Sequence, residues 1–139
     1  MSRTEEPQNA AAPGDSGPRP TVILAISDLM LGSRAREALK SLGMDGAAAS
    51  SAEDLSLRLG SEASLLIVDL GESRWNAVDA IRRAKERGVP VLAFGRHTDV
   101  ESLDAAGRAG ADRVVPRSVF AASLPELIRE LVPYRGERP

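Results

Sequence analysis

Two aspartates follow apolar runs, at points in the chain where a side chain could act on a ligand. Asp69 comes directly after the run 65–68, and Asp28 follows the run 22–26 after a single serine, Ser27. Open parallel sheets bind their ligands beyond the carboxyl ends of the strands. If both runs are neighbouring buried strands, the two carboxylates repel each other unless a cation lies between them. The two positions therefore predict a cation site.

A hard divalent cation such as Mg²⁺ suits this pair, because it prefers carboxylate, carbonyl and water oxygens. Asp28 and Asp69 would supply side-chain ligands, and the backbone carbonyl of Gly71 would supply a third. The same ion would neutralise charge on a phosphoryl group transferred to Asp69. Structural alternatives stay open for both residues. Asp69 could be a turn residue at a strand end, and Asp28 could cap the first helix.

Short apolar runs alternate with amphipathic segments from Thr21 onward, which predicts strands that alternate with helices. Strands are predicted at 22–26, 46–50, 65–69, 90–94 and 113–116, and helices at 33–42, around 55–59, and at 75–87, 99–109 and 121–132. Continuously apolar strands are typical of a sheet that is buried on both faces. The alternation therefore predicts an α/β fold, a three-layer sandwich around a five-stranded parallel sheet.

The ends of the chain differ from its centre in composition. Residues 1–20 combine four prolines with alanine, glycine, serine and charged residues, which predicts a disordered N-terminal tail. The domain is expected to span 21–133, and a polar tail follows at 134–139. With 139 residues, the chain is long enough for one core and too short for two.

Composition excludes several classes of function. The net charge is -2 with both signs interspersed, and aromatic residues make up 3% of the chain, so nucleic acid is not an expected partner. The absence of cysteine excludes disulfides, thiolate metal sites and cysteine nucleophiles. No run has the length of a membrane span or the pattern of a signal peptide, which favours a cytoplasmic protein without membrane contact.

Three further residues belong to the loop after the predicted fourth strand, at the same edge of the sheet. Gly95, Arg96 and His97 could contact a small anion there, together with Arg117 after the fifth strand. His97 is the only histidine and could also sense pH. Each of these charged residues taken alone could equally be an ordinary solvated side chain.

The segment 22–132 resembles the receiver domain of bacterial response regulators, the phosphoaspartate switches of two-component signalling. The resemblance rests on the alternation and on three stretches: LLIVD at 65–69, VPVLAF at 89–94 and AGAD at 109–112. It implies a flavodoxin-like fold, with Asp69 as the phosphoacceptor. Asp28 matches one member of an acidic pair that binds magnesium in the family.

Three positions depart from the receiver pattern. Ser27 replaces the second acidic residue, Gly95 replaces a serine or threonine, and Arg117 replaces a lysine. A missing carboxylate weakens magnesium binding. A missing hydroxyl removes a charge-assisted hydrogen bond to a phosphoryl group, worth about 1.5–3 kcal/mol. Arg117 keeps the positive charge but presents it as a planar fork.

The resemblance implies a signalling module rather than an enzyme. Its partner would be a protein, either a sensor kinase or a downstream target, and a second copy of the chain could also pair with it. Two versions remain open: a module phosphorylated on Asp69, favoured by the retained aspartates, and a pseudo-receiver that binds a partner or small anion without phosphotransfer, favoured by Ser27 and Gly95. In the family the partner surface often comprises the fourth helix, fifth strand and fifth helix, here Leu103, Val114 and 121–129.

Overall fold

Five strands form one parallel sheet, as predicted. The structure is a computed structural model that describes residues 19–132. Its elements are β1 (Thr21–Ala25), α1 (Leu29–Ser41), β2 (Asp45–Ala48), α2 (Ala52–Leu59), β3 (Leu65–Asp69), α3 (Ala77–Glu86), β4 (Val91–Gly95), α4 (Val100–Ala109), β5 (Arg113–Pro116) and α5 (Arg117–Leu131). The strand order is β2-β1-β3-β4-β5. The flavodoxin-like three-layer fold is therefore confirmed.

The predicted tails lie outside the described residues, except for Arg19 and Pro20. Both of these residues attach to the start of β2. Arg19 Nε donates to Asp45 Oδ1 over 3.0 Å, and the carbonyl of Pro20 accepts from the Asp45 N–H over 2.9 Å.

The two faces of the sheet carry separate apolar cores, because successive side chains of a strand point in opposite directions. One core packs α1 and α5 against alternate strand residues such as Leu24 and Ile67. The other packs α2, α3 and α4 against residues such as Ile23 and Leu66. The chain adds β2 on one side of β1 and β3 on the other side. A crevice therefore forms beyond the carboxyl ends of β1 and β3, where the connections diverge.

Helix α1 begins earlier than its apolar periodicity predicts, at Leu29 rather than at residue 33. Leu29 and Met30 are 89% and 75% exposed. They therefore do not belong to the helically spaced core residues from which the helix was predicted. The segment Gly32–Arg34 is therefore inside the helix and not at its N-terminus.

Helix α5 also begins earlier, directly after β5, and it is bent at Ser123 (φ -124°, ψ 26°). Pro125 lies inside this helix and has no N–H to donate to the carbonyl of Ala121. That carbonyl accepts instead from Arg34 Nη1 of α1, over 3.4 Å. The sequence pattern predicted a helix at 121–132 and so missed the first turn of α5, from Arg117 to Phe120.

An aromatic stack fixes the start of α5 against the sheet. The rings of Phe94 and Phe120 lie 4.0 Å apart at an interplanar angle of 18°, and neither side chain is exposed. Phe120 follows Arg117 by three residues, so the stack also determines where Arg117 lies.

Within residues 19–132, no helix is both long enough and apolar enough to cross a lipid bilayer.

We expect Phe120→Ala to lower the free energy of unfolding by about 3–5 kcal/mol, because it leaves a cavity between α5 and β4. Urea unfolding followed by circular dichroism measures this. Val119→Ala is the matched control on the exposed side of the same turn, with an expected change within about 0.5 kcal/mol. Equal losses for the two variants would show that the stack does not hold α5 in place.

Candidate functional site

Asp69, Asp28 and Arg117 meet at the carboxyl edge of the sheet, beyond β1 and β3. Asp69 is the last residue of β3 and is 5% exposed, the only charged side chain among the described residues that is buried. Asp28 follows β1, and Arg117 begins α5. We refer to these three residues as the carboxylate–arginine cluster.

The carboxylate of Asp69 has one well-made hydrogen bond. Its Oδ1 accepts from the N–H of Gly71 over 2.9 Å, whereas its Oδ2 lies 4.0 Å from Arg117 Nη1. Burial raises the pKa of Asp69 above its ordinary value, and the charges of Glu72 and Asp28 add to this effect. The Gly71 N–H and Arg117 oppose it without reversing it.

Both carboxylate oxygens of Asp28 are engaged. Oδ1 accepts from the N–H of Leu31 over 3.0 Å and thereby caps α1, and Oδ2 accepts from Arg117 Nη2 over 2.5 Å. The hydrogen bond from Leu31 is the largest cause of a lowered pKa at Asp28, and Arg117 contributes to the same direction. Asp28 is therefore ionised at neutral pH and paired with Arg117.

Arg117 occupies an unfavourable position for a cation, because the N-terminus of a helix carries positive partial charge. No side chain caps α5, which begins after Pro116. The two carboxylates offset this repulsion. The guanidinium of Arg117 binds Asp28 and approaches Asp69, so it lies where the sequence predicts a cation.

Glu72 is a member of the site that the sequence analysis did not include. The Ser27 hydroxyl is the largest cause of a lowered pKa at Glu72. The Arg74 N–H donates to Glu72 Oε2 over 2.7 Å and adds to this effect. Ser27 thus stabilises a neighbouring carboxylate instead of supplying one. The signal available in the sequence was an acid three residues after Asp69, in the same loop.

Gly95 ends β4 in an apolar environment. A Cβ atom placed on Gly95 would lie 3.3 Å from Leu70 Cβ and 3.6 Å from Leu103 Cδ2. The space beside this position is therefore occupied by two leucine side chains, and any side chain introduced here would press against Leu70.

Arg96 and His97 are exposed in the loop that follows Gly95. Within residues 19–132, no hydrogen bond or ion pair joins either side chain to Asp69. The charge of Arg96 instead helps to lower the pKa of Asp99, after the larger contribution of hydrogen bonds from Ser102. The structure therefore does not bring these two residues into the carboxylate–arginine cluster.

The Arg117 guanidinium faces the carboxylates of Asp28 and Asp69, the two side chains that are predicted to hold magnesium. Each carboxylate oxygen of Asp28 already accepts one hydrogen bond, and Asp69 Oδ1 accepts from the Gly71 N–H. In the described part of the chain, no three acidic, histidine or cysteine side chains gather as a metal-binding group. A magnesium ion bound to Asp28 would compete with Arg117 for the same carboxylate.

Comparison with family models and with curated proteins gives no match, whereas solved structures match over most of the chain. A two-component response regulator from Clostridium difficile is 12% identical with a TM-score of 0.72, over 86% of this chain and 100% of its own. An orphan response regulator of H. pylori is 22% identical with a TM-score of 0.69, over 83% of this chain and 99% of its own. The chain has the response regulator receiver fold.

A further structure with the receiver fold contains a metal ion. The receiver domain of a sensor histidine kinase from Pseudomonas aeruginosa PAO1 has magnesium coordinated in its active-site cleft. It is 13% identical to this chain with a TM-score of 0.70, over 83% of this chain and 98% of its own. In the receiver fold described here, Arg117 lies between the carboxylates of Asp28 and Asp69.

We expect Asp69→Asn to raise the free energy of unfolding at neutral pH. The amide oxygen can still accept from Gly71, while the buried charge is removed. In the unfolded chain Asp69 ionises near 3.8, whereas in the folded chain its pKa is higher. Wild-type stability therefore falls as pH rises from 3.8 through the folded pKa, and the variant lacks this loss.

Urea unfolding at a series of pH values from about pH 4 to about pH 8 measures the difference. The increase in the free energy of unfolding that Asp69→Asn causes should shrink as pH falls towards 3.8. Asp104→Asn, on the exposed surface of α4, controls for the loss of one negative charge. If Asp69→Asn is less stable than wild type at pH 7, the attraction between Asp69 and Arg117 exceeds the cost of burying the Asp69 charge.

Proposed function

We propose that this chain is a signalling module of the two-component type, a pseudo-receiver that acts through protein contacts without phosphotransfer. The observation that carries the proposal is the ion pair between Arg117 and Asp28. A side chain of the protein takes the position in which the receiver resemblance implies a magnesium ion.

Binding of Mg²⁺ would compete with this internal cation. Asp28 would have to give up its charge-assisted hydrogen bond to Arg117. Arg117 would then remain at the N-terminus of α5 without that partner, where the helix dipole disfavours it. Both effects weaken magnesium binding, and phosphoryl transfer to an aspartate in this family depends on that ion.

The surroundings of Gly95 support the same proposal. The resemblance implies a hydroxyl at this position that binds a phosphoryl group and couples it to loop movement. Here the position has no side chain, and Leu70 and Leu103 border it. A phosphoryl group on Asp69 would therefore lack this hydrogen-bond donor, at a cost of about 1.5–3 kcal/mol.

The partner surface that we propose is formed by α4, β5 and α5, as the resemblance implies. Val100 is 59% exposed on α4, and Leu103 and Val114 are half-buried. The Arg113 side chain forms an ion pair with Glu130 of α5, at 2.6 Å. The partner would be a sensor kinase, a downstream target or a second copy of the chain. The interspersed charges of the chain do not favour nucleic acid.

A second candidate function is phosphorylation of Asp69, with Mg²⁺ held by Asp28, Asp69 and the carbonyl of Gly71. The observation that favours it is the position of Asp69 at the carboxyl end of β3, with a second carboxylate and a cation close by. It requires Arg117 to leave Asp28 and to bind the phosphoryl group instead.

The two candidates predict different responses to magnesium and to beryllofluoride, which mimics a phosphoryl group on aspartate. We expect no saturable change in the NMR spectrum of the wild-type chain at up to about 10 mM Mg²⁺, well above the dissociation constants of weak protein sites. Addition of beryllofluoride should also leave the signals of Asp69 and of the loops after β4 and β5 unchanged.

We expect Arg117→Ala to gain magnesium-dependent shifts at Asp28 and Asp69, because the variant frees the Asp28 carboxylate. Arg113→Ala is the matched control, since it removes an arginine of a different ion pair. If Arg117→Ala gains no response, the role assigned to Arg117 is wrong. If wild type responds to both reagents and Asp69→Ala does not, Asp69 is a phosphoacceptor and the pseudo-receiver proposal fails.

A further inference from the structure

Helix α4 has fewer buried residues than any other of the described helices. Only Ala106 of α4 is buried, whereas the neighbouring helix α3 buries three residues. The two larger apolar side chains of α4 are those of Val100, which is 59% exposed, and Leu103, which is half-buried. Leu103 is therefore the one large side chain that α4 turns towards the sheet. The position of the first half of α4 depends on what Leu103 packs against.

Leu103 packs beside Gly95, at the end of β4. A Cβ atom placed on Gly95 would lie 3.6 Å from Leu103 Cδ2, 3.5 Å from Leu70 Cδ1 and 3.3 Å from Leu70 Cβ. The two leucine side chains thus border the same glycine, one from the end of β3 and the other from α4. We refer to Leu70, Gly95 and Leu103 as the leucine clasp.

Leu70 is fixed at both its backbone and its side chain. Its N–H donates to the carbonyl of Phe94 over 2.9 Å and so continues the pairing of β3 with β4 by one residue. Its side chain packs against the apolar core that lies under α2, α3 and α4. Because Leu70 directly follows Asp69, the leucine clasp connects the neighbour of the buried carboxylate to α4 through apolar packing.

The absence of a side chain at Gly95 makes room for Leu70. The atom nearest to an added Cβ is Leu70 Cβ, which is bonded to the main chain and does not move when the side chain changes rotamer. Protein interiors are close-packed, so a side chain at residue 95 and a leucine at residue 70 compete for the same volume. Gly95 and Leu70 are therefore a matched pair.

We propose that the leucine clasp holds α4 in one position against the sheet, so that the surface of α4, β5 and α5 has the same shape whatever the state of Asp69. The clasp contains no side-chain polar group that could respond to a ligand at Asp69. The inference deepens the proposed function and rests on it only for the role of this surface in partner binding. The clasp itself is a property of packing.

Amide hydrogen exchange of the full chain, followed by NMR, measures how often α4 opens. We expect Leu70→Ala to raise the exchange rates of the amides of residues 103–109 by at least about tenfold, because it removes packing beside Leu103. Leu59→Ala is the matched control, since Leu59 is a buried leucine of the same core under α2. It should raise the exchange rates in α2 and leave those of α4 as in wild type.

A serine at residue 95 tests the competition for space. In the wild-type background, Gly95→Ser should shift the α4 amide signals and raise their exchange rates, because the new side chain presses on Leu70. In the Leu70→Ala background, the same change should alter these rates by less than about twofold, since coupled neighbours are non-additive. Gly32→Ser is the matched control, because no atom lies within 4 Å of a Cβ placed on Gly32. The amide spectra show whether each variant is folded.

Three results would overturn the proposal. Unchanged exchange of α4 in a folded Leu70→Ala variant would mean that Leu70 does not hold the helix. Equal effects of Gly95→Ser in the two backgrounds would mean that the two residues do not compete. Relaxation dispersion that shows α4 of the wild-type chain moving between two positions would mean that the clasp does not fix it.

These measurements need neither Mg²⁺ nor beryllofluoride, so the clasp can fail while the pseudo-receiver proposal stands. The converse result is also distinguishable. If beryllofluoride shifts the signal of Asp69 and leaves the amides of α4 unshifted, the leucine clasp is supported and the pseudo-receiver proposal fails.

Discussion

The contact between Arg117 and Asp28 connects the starts of two helices and determines the electrostatics at the carboxyl edge of the sheet. Three carboxylates, those of Asp28, Asp69 and Glu72, lie near one another there. Two of them are paired with arginines, and the third is buried. Asp28 is paired with Arg117, Glu72 is paired with Arg74, and Asp69 is buried with a raised pKa. Without the guanidinium, Asp28 and Asp69 would repel each other with no cation between them.

The rest of the fold serves to hold Arg117 at that point. The stack of Phe94 on Phe120 fixes the first turn of α5 against β4. Arg117 directly follows the last residue of β5, so no loop separates it from the sheet. Asp28 is itself fixed, because its second oxygen caps α1. The ion pair therefore joins two fixed backbone positions, and its formation costs mainly the side-chain entropy of Arg117.

Much of the fold could be predicted from the sequence because β1, β3 and β4 are buried on both faces and are continuously apolar. The sequence pattern missed features that produce no apolar periodicity. The first turn of α1 is exposed, and the start of α5 precedes a proline that interrupts its pattern. Asp28, Asp69 and Arg117 could be chosen as site residues from strand ends, but their mutual pairing depends on side-chain directions that spacing does not reveal.

The kink at Ser123 divides α5 into two helical units that contact different parts of the fold. The first unit is tied to β4 by Phe120 and to α1 through the hydrogen bond between Arg34 and the Ala121 carbonyl. The second unit is tied to β5 by the pair of Arg113 with Glu130. The two units are therefore attached to different parts of the fold, and Arg117 belongs to the first. The residue that neutralises the acidic edge thus follows the sheet and α1 rather than the remainder of its own helix.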